Sequence, residues 1–282
     1  MLGNALDNRF VKIKIVGVNT AGDGKISGGL TALNFMQEKN LSGVNYFAVD
    51  RQDVSNLDAC NVKRKLRLLD ADDEKILVDG LRDADLIFVL ADEVWENVKV
   101  AALTAHCAKK IGVPVIFIAG GNFEDAEDEI IFDGLVKLPS KNFPADSCKI
   151  VENFIEAVSF DGQPKLSVKN FSELVKNSAA IIGYGERDGK NSVVKAAKAA
   201  LEHVEGNEEN FKTATKILFN VTAATGNLSL EEAQKLSRLI KRHAPKAEIT
   251  FGFAIDDWLV DKVKFLLAAE RQLGIRNDFY NS

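Results

Sequence analysis

A few glycines, carboxylates and one arginine are the residues of this chain whose types and spacing could handle an anion. Gly17 sits in the apolar run Ile15-Val16-Gly17-Val18, and Asn19-Thr20-Ala21-Gly22-Asp23-Gly24 follows it. Gly22 and Gly24 can bend the backbone so that its amides converge, and a helix starting just after them adds positive partial charge. Asp50 and Arg51 end a second apolar run, where they could meet a ribose or a phosphate. A third stretch, Asp92-Glu93-Val94-Trp95-Glu96-Asn97-Val98, follows another apolar run and contains no glycine. The carboxylates of Asp92, Glu93 and Glu96 would repel phosphate oxygens. Two like charges ~4 Å apart cost ~1 kcal/mol in water and several times that near a protein surface. Each stretch also has a purely structural reading. Gly17 to Gly24 reads as a tight turn between strand and helix, Asp50 and Arg51 as surface charge, and Asp92 as the N-cap of the next helix.

Other candidates are thinner. Gly24-Lys25 hints at a phosphate loop of the Gly-x4-Gly-Lys-Ser/Thr type, but Asn19 stands at its first glycine and Ile26 where a hydroxyl must reach magnesium. His106, His203 and His243 each stand alone among helical residues. Lys63, Arg64, Lys65 and Arg67 form a basic run that reads as a solvated face. Asp256-Asp257-Trp258 and Glu186-Arg187-Asp188 read as turns. No metal-ligand spacing and no catalytic constellation is found.

The elements that must position these residues follow from apolar periodicity. Strands are expected over 11–18, 44–49, 85–91 and 113–119, apolar on both faces, with helices between them. The first helix should place Ile26, Leu30, Leu33 and Met36 on or near one face. Helices are expected over 72–82 and 95–110, and a longer one over 145–160 with Ile150, Phe154, Ile155 and Val158 on a stripe. An acidic segment spans 124–129. A turn at 161–164 marks an organisational boundary. Beyond it come a short helix over 166–176, a strand over 179–184, a helix over 193–203 and a strand over 215–222. Ser229 and Glu232 then form a capping box for a helix reaching His243, with Pro245 closing it. Strands over 248–255 and 261–268 should form a closing hairpin. The pattern is α/β, a parallel sheet covered on both sides followed by a smaller α/β unit.

Composition bounds the function. The chain has 282 residues, 46% hydrophobic and 27% charged, enough for one large or two ordinary domains. A net charge of −5 argues against a general nucleic-acid binder. No apolar run approaches the ~18 residues of a membrane span, and the first ten residues lack signal-peptide character. Three scattered cysteines, Cys60, Cys107 and Cys148, fit a reducing cytoplasm.

Taken in order, the local words resemble the FtsZ family of the FtsZ/tubulin superfamily. Ala180-Ile181-Ile182-Gly183-Tyr184-Gly185-Glu186 looks like that family's Gly-x-Gly-Glu strand, and Lys216-Ile217-Leu218-Phe219-Asn220-Val221-Thr222 its Leu-Leu-Asn-Ile-Thr-Gly strand. Ser229-Leu230-Glu231-Glu232-Ala233 resembles the following helix start. Ile249-Thr250-Phe251-Gly252-Phe253-Ala254-Ile255-Asp256-Asp257 resembles its next strand and Asp261-Lys262-Val263-Lys264 the final one. In the first half, Ile15-Val16-Gly17-Val18 with Ala21-Gly22, Gly43-Val44-Asn45-Tyr46-Phe47-Ala48-Val49-Asp50, and Ala84-Asp85-Leu86-Ile87-Phe88-Val89 match its first three strands. The resemblance covers residues 11–268.

The resemblance implies a GTPase-like region over 1–144, here degenerate, a central helix and linker over 145–165, and a C-terminal-like domain over 166–282. It also implies GTP at the C-terminal ends of the parallel strands and head-to-tail stacking, with a loop of the next subunit supplying acids for hydrolysis. Gly17, Gly22, Gly24, Asp50 and Arg51 would be the vestigial nucleotide contacts. The family's glycine-rich phosphate loop corresponds to Asp92–Val98 and is lost. Its hydrolytic word, Asn-Leu-Asp-Phe-x-Asp, corresponds to Lys165-Leu166-Ser167-Val168-Lys169-Asn170, where Ser167 and Asn170 replace the acids that polarise water. The expected function is therefore a non-catalytic FtsZ-like protein of cell division or filament regulation, with no cofactor and no nucleic-acid partner. Its partner would be itself or an FtsZ-type filament protein, without direct membrane insertion. The alternative is a weak GTP- or GDP-binding protein that polymerises.

Overall fold

The architecture is that of a computed structural model, which describes residues 11–19, 26–41, 43–51, 57–58, 60–68, 73–121, 132–138, 140–176, 178–204, 208–227 and 229–271. Gly22, Gly24 and the acidic segment 124–129 lie outside the described residues. Ten strands form one sheet in the order β3-β2-β1-β4-β5-β6-β7-β10-β8-β9.

In the first half the strands are β1 (Ile13–Asn19), β2 (Val44–Asp50), β3 (Arg64–Arg67), β4 (Leu86–Asp92), β5 (Val115–Gly120) and β6 (Gly134–Leu138), all paired in parallel. Their double-sided apolar character has a direct cause. Ile13, Ile15, Phe88 and Leu90 face α1 (Gly28–Lys39) and the central helix α4 (Phe143–Ser159). Val16, Val18, Ile87 and Val89 face α2 (Asp73–Leu81) and α3 (Trp95–Lys110). A strand sandwiched in this way can carry no polar face. The expected stripe Ile150, Phe154, Ile155 and Val158 of α4 is buried, with Phe154 edge-on to Phe88 at 5.4 Å and to Phe171 at 5.6 Å. On α1, Leu30, Leu33 and Met36 are buried, whereas Ile26 precedes the helix and is 39% exposed.

The second half holds α5 (Val168–Leu174), β7 (Ala179–Arg187), α6 (Ser192–Glu202), α7 (Glu208–Thr213), β8 (Lys216–Ala223), α8 (Leu230–His243), β9 (Glu248–Ile255) and β10 (Val263–Arg271). The halves join where Gly134 and Leu135 of β6 pair with Ala180 and Ile181 of β7. Ser229 caps α8 in the expected capping box with Glu232.

Several expectations need correction. β9 and β10 do not form a hairpin: β10 lies between β7 and β8, antiparallel to both, and β9 runs parallel to β8 at the edge. Burial explains the choice. Val263 and Phe265 to Glu270 are buried and need neighbours on both sides, whereas only Gly252 and Ala254 of β9 are buried, which suits an edge. The basic run is solvated as expected, with Lys63, Arg64, Lys65 and Arg67 all exposed, and residues 64–67 of it form the edge strand β3, whose charged side chains discourage further pairing. Arg64 lies 5.3 Å from the Phe47 ring centroid. Glu186 and Arg187 end β7 rather than form a turn. Strand β6 and helix α7 have no counterpart among the expected elements.

Candidate functional site

The C-terminal ends of β1, β2, β4 and β5 meet the N-termini of α1 and α4 at one end of the sheet. Helix α1 begins unusually close to the strands. A Cβ on Gly29 would run into the carbonyl oxygen of Leu90 and lie 2.8 Å from that of Val18. Gly17 serves the same close approach from below, since a Cβ there would sit 2.8 Å from the Gly29 oxygen and 2.9 Å from Leu33 Cβ. Its place is therefore under the helix, packed into β1. Ser27 caps α1: its Oγ accepts from Leu30 N at 3.1 Å and donates to Val18 O at 2.6 Å.

Asp92 differs from its expected role. Helix α3 is capped at Val94, without a side-chain capping bond, so Asp92 is not its N-cap. Asp92 ends β4 and turns its carboxylate across to α1, where Oδ2 accepts the Gly28 N–H at 2.7 Å. Its Oδ1 accepts from Asn97 Nδ2 at 2.5 Å and, at 3.4 Å, from Val94 N. The positive end of α1 and one of its unpaired amides are thus met by a carboxylate of the chain itself.

A second internal network lies beside it. Asn19 and Asp50 are fully buried. Asn19 Nδ2 donates to Asp50 Oδ2 at 2.8 Å, and Asn19 Oδ1 accepts from Ser27 N at 2.8 Å. The Asp50 carbonyl accepts from Leu68 N at 2.9 Å and ties β2 to the start of the next loop. Two buried polar side chains are thereby satisfied within the fold. Arg51 lies exposed just past the end of β2.

Among the expected site residues, Asp50 joins this end of the sheet, Arg51 stands at its rim, and Gly17 lies beneath it. Ser27, Gly28, Gly29 and Asn97 were not singled out by sequence reasoning. The signal that could have found them is the pair Gly28-Gly29 after Ser27, a helix start stripped of side chains against a strand end.

The 161–170 loop lies at the opposite end of α4. Ser167 and Asn170 form a capping box for α5: Ser167 Oγ accepts from Asn170 N at 3.4 Å, and Asn170 Oδ1 accepts from Ser167 N at 2.9 Å. Both residues where acids were absent therefore have a structural task. Ile255 N bonds Asp161 O at 2.8 Å, which brings the turn after β9 to this same end. That turn exposes Trp258 at 95%, Val260 at 66% and Ile255 at 44%. Val260 has φ 52°, a left-handed conformation rare for a β-branched residue, and its carbonyl accepts a hydrogen bond from Asn227 Nδ2. The end of the sheet where α1 and α4 begin carries its own apolar exposure, Trp95 at 53%, Val94 at 42% and Ile26. Lys99 Nζ covers the Trp95 ring at 5.3 Å. Helix α4, with 17 residues and ~1.5 Å rise per residue, sets the two ends ~25 Å apart. Among the described residues no cluster could hold a metal ion, and no helix is long and apolar enough to cross a membrane.

Residues 178–270 match the family model for the FtsZ family, C-terminal domain. Over nearly its whole length the chain is similar to solved FtsZ structures. One, a point mutant of FtsZ from M. jannaschii, superposes with a TM-score of 0.74 at 20% identity, covering 92% of this chain and 91% of that one. An empty FtsZ dimer from M. jannaschii gives 0.71 at 20% identity, with 96% and 90% covered. CetZ from Methanosaeta thermophila gives 0.69 at 14% identity, with 94% and 87% covered.

Proposed function

With the FtsZ/tubulin fold as premise, we propose that this chain is a non-catalytic, nucleotide-independent assembly protein of that superfamily. The observation that carries the reading is the Asp92–Gly28 hydrogen bond. In this fold class an anion is expected at a helix N-terminus beyond the strand ends, and here a carboxylate already lies on that amide. A phosphate at the same place would have to displace Asp92 or sit beside it. At ~4 Å separation each added unit charge costs about 4 kcal/mol near a protein surface. The Asn19–Asp50 pair supports the same reading, because the two side chains bond each other and Asn19 also binds Ser27 within the fold. Ser167 and Asn170, bound into a helix cap, offer no carboxylate to polarise water, so GTP hydrolysis is not expected.

Self-association is supported by the fold, since an FtsZ of this architecture was solved as a dimer, and by apolar residues exposed at both ends of α4. Trp95 with Val94 and Ile26 at one end, and Trp258 with Val260 and Ile255 at the other, suit a head-to-tail contact between copies. Cell division or the regulation of FtsZ-type filaments is the process proposed. The test is sedimentation velocity with and without GTP and magnesium. The proposal expects concentration-dependent association that GTP leaves unchanged and that Trp258→Asp weakens. Association that appears only with GTP would overturn it in favour of a weak nucleotide-binding polymer.

A further inference from the structure

The sheet ends in two edge strands, and they are defended differently. Strand β3 presents the exposed charges of Arg64, Lys65 and Arg67, which keep other strands away. Strand β9 carries Ile249, Thr250, Phe251 and Phe253, and its one charged residue is Glu248 at the start. The amides before and after it fix which backbone groups face out. Glu248 N donates to Thr215 O and Asp256 N to Ala223 O, so even-numbered residues of β9 bond β8 and odd-numbered ones point away from it. Two of the outward amides are already used: Phe253 N donates to Pro164 O and Ile255 N to Asp161 O, both at 2.8 Å. Among the described residues nothing accepts from Ile249 N or Phe251 N. The unpaired length is therefore 248–252, closed on one side by the 161–164 loop and on the other by the turn at Pro245 and Lys246. Its midpoint is Thr250.

We propose that this stretch pairs with the same stretch of a second copy of the chain, antiparallel, about a two-fold axis at Thr250. In that register the strand is its own complement. Ile249 stands opposite the partner's Phe251, and Phe251 opposite the partner's Ile249. Each such pair exchanges two backbone hydrogen bonds and satisfies the outward groups. The paired side chains share one face, and aromatic–β-branched pairs of this kind stabilise a sheet. Phe251 is held ready for the contact, stacked on Phe219 at 5.6 Å and against Phe253 at 5.5 Å between ring centroids. Glu248 falls opposite the partner's Gly252, so no like charges meet. A two-fold contact of this kind closes on itself as a dimer. It uses none of the apolar residues at the two ends of α4, so it adds a side-by-side contact to the head-to-tail one.

The test is made in the Trp258→Asp protein, in which the head-to-tail contact is weakened. In the proposed register the two Thr250 Cα atoms lie ~4.5 Å apart, inside the ~4.4–6.8 Å span of a disulfide. Thr250 is exposed, and Cys60, Cys107 and Cys148 are buried and do not compete. Mild oxidation of Thr250→Cys should therefore give a covalent dimer. Glu248→Cys is equally exposed but offset from its own copy by ~13 Å along the strand, and should stay uncross-linked. Independently, Ile249→Pro removes an outward N–H and no bond to β8, and should weaken dimerisation about tenfold in sedimentation equilibrium. Failure of Thr250→Cys to cross-link, equal cross-linking of both cysteine variants, or unchanged dimerisation in Ile249→Pro would each overturn the inference. The response to GTP, which tests the functional reading, is a separate measurement.

Discussion

Replacing Asp92 by alanine removes the carboxylate that meets α1 and tests the physical basis of the functional reading. The substitution deletes a 2.7 Å charge-assisted bond to the Gly28 amide and a 2.5 Å bond to Asn97 Nδ2. Hydrogen bonds to charged groups contribute ~1.5–3 kcal/mol each. Asp92 is half-buried, so the lower end applies and the loss is ~2–4 kcal/mol. In a chain of this size each kcal/mol shifts Tm by ~2–4 °C, so Asp92→Ala should melt about 4–16 °C below wild type. Asp92→Asn keeps an acceptor and loses the charge, and should fall between the two. The variant also exposes an unpaired helix amide. Inorganic phosphate should then stabilise Asp92→Ala by RT ln(1 + [L]/Kd), ~1.4 kcal/mol at ten times Kd, and do little for wild type. Thermal melts of the three proteins across a phosphate series measure both effects. Unchanged stability in Asp92→Ala, or equal phosphate stabilisation of variant and wild type, would refute the reasoning.

Two further outcomes follow from groups away from that end. The buried pair between Glu156 of α4 and Lys264 of β10, at 2.5 Å with side chains only 10% and 11% exposed, links the central helix to the second half, and Glu156 Oε2 is left without a hydrogen-bond partner. Removing one partner of such a pair costs ~3–5 kcal/mol, so Lys264→Met alone should lower the urea midpoint strongly. Glu156→Gln combined with Lys264→Met should recover part of that loss, as a double-mutant cycle will show. Burial holds the Cys107 thiol up at about 11 and, with help from Glu152, the Cys148 thiol up at about 12, both from 9.0. The unfolded chain loses these protons first, so their stabilisation is complete below pH 9 and is lost as pH rises towards 11–12. Urea midpoints should fall between pH 8 and 10.5, with a shallower fall in Cys107→Ala/Cys148→Ala. Alkylation at pH 8 should be slow in the native state and fast in urea.

Much of the fold could be read from periodicity because most strands are sandwiched. Residues 85–91 and 113–119 are apolar on both faces, and helix α3 spans the expected residues 95–110. What escaped was set by tertiary pairing. Strand β3, Arg64-Lys65-Leu66-Arg67, has one apolar residue and exists because β2 offers it an edge. The placement of β10 between β7 and β8 depends on a crossover that no local pattern encodes. At the candidate site, the absence of glycine from residues 92–98 and their three carboxylates could be read from residue types alone. The partner of Asp92 was not, because capping α3 and reaching α1 look alike in one dimension. The difference arises from Gly28 and Gly29, which let α1 approach β4 closely enough for the carboxylate to reach its amide.

The central claim is most directly tested by the nucleotide content and affinity of the purified protein. Acid denaturation followed by anion-exchange chromatography should release no guanine nucleotide, and calorimetric titration with GTP and magnesium should give no binding heat in wild type. Stoichiometric GDP or GTP in the supernatant, or a saturable heat at one site per chain, would contradict the account.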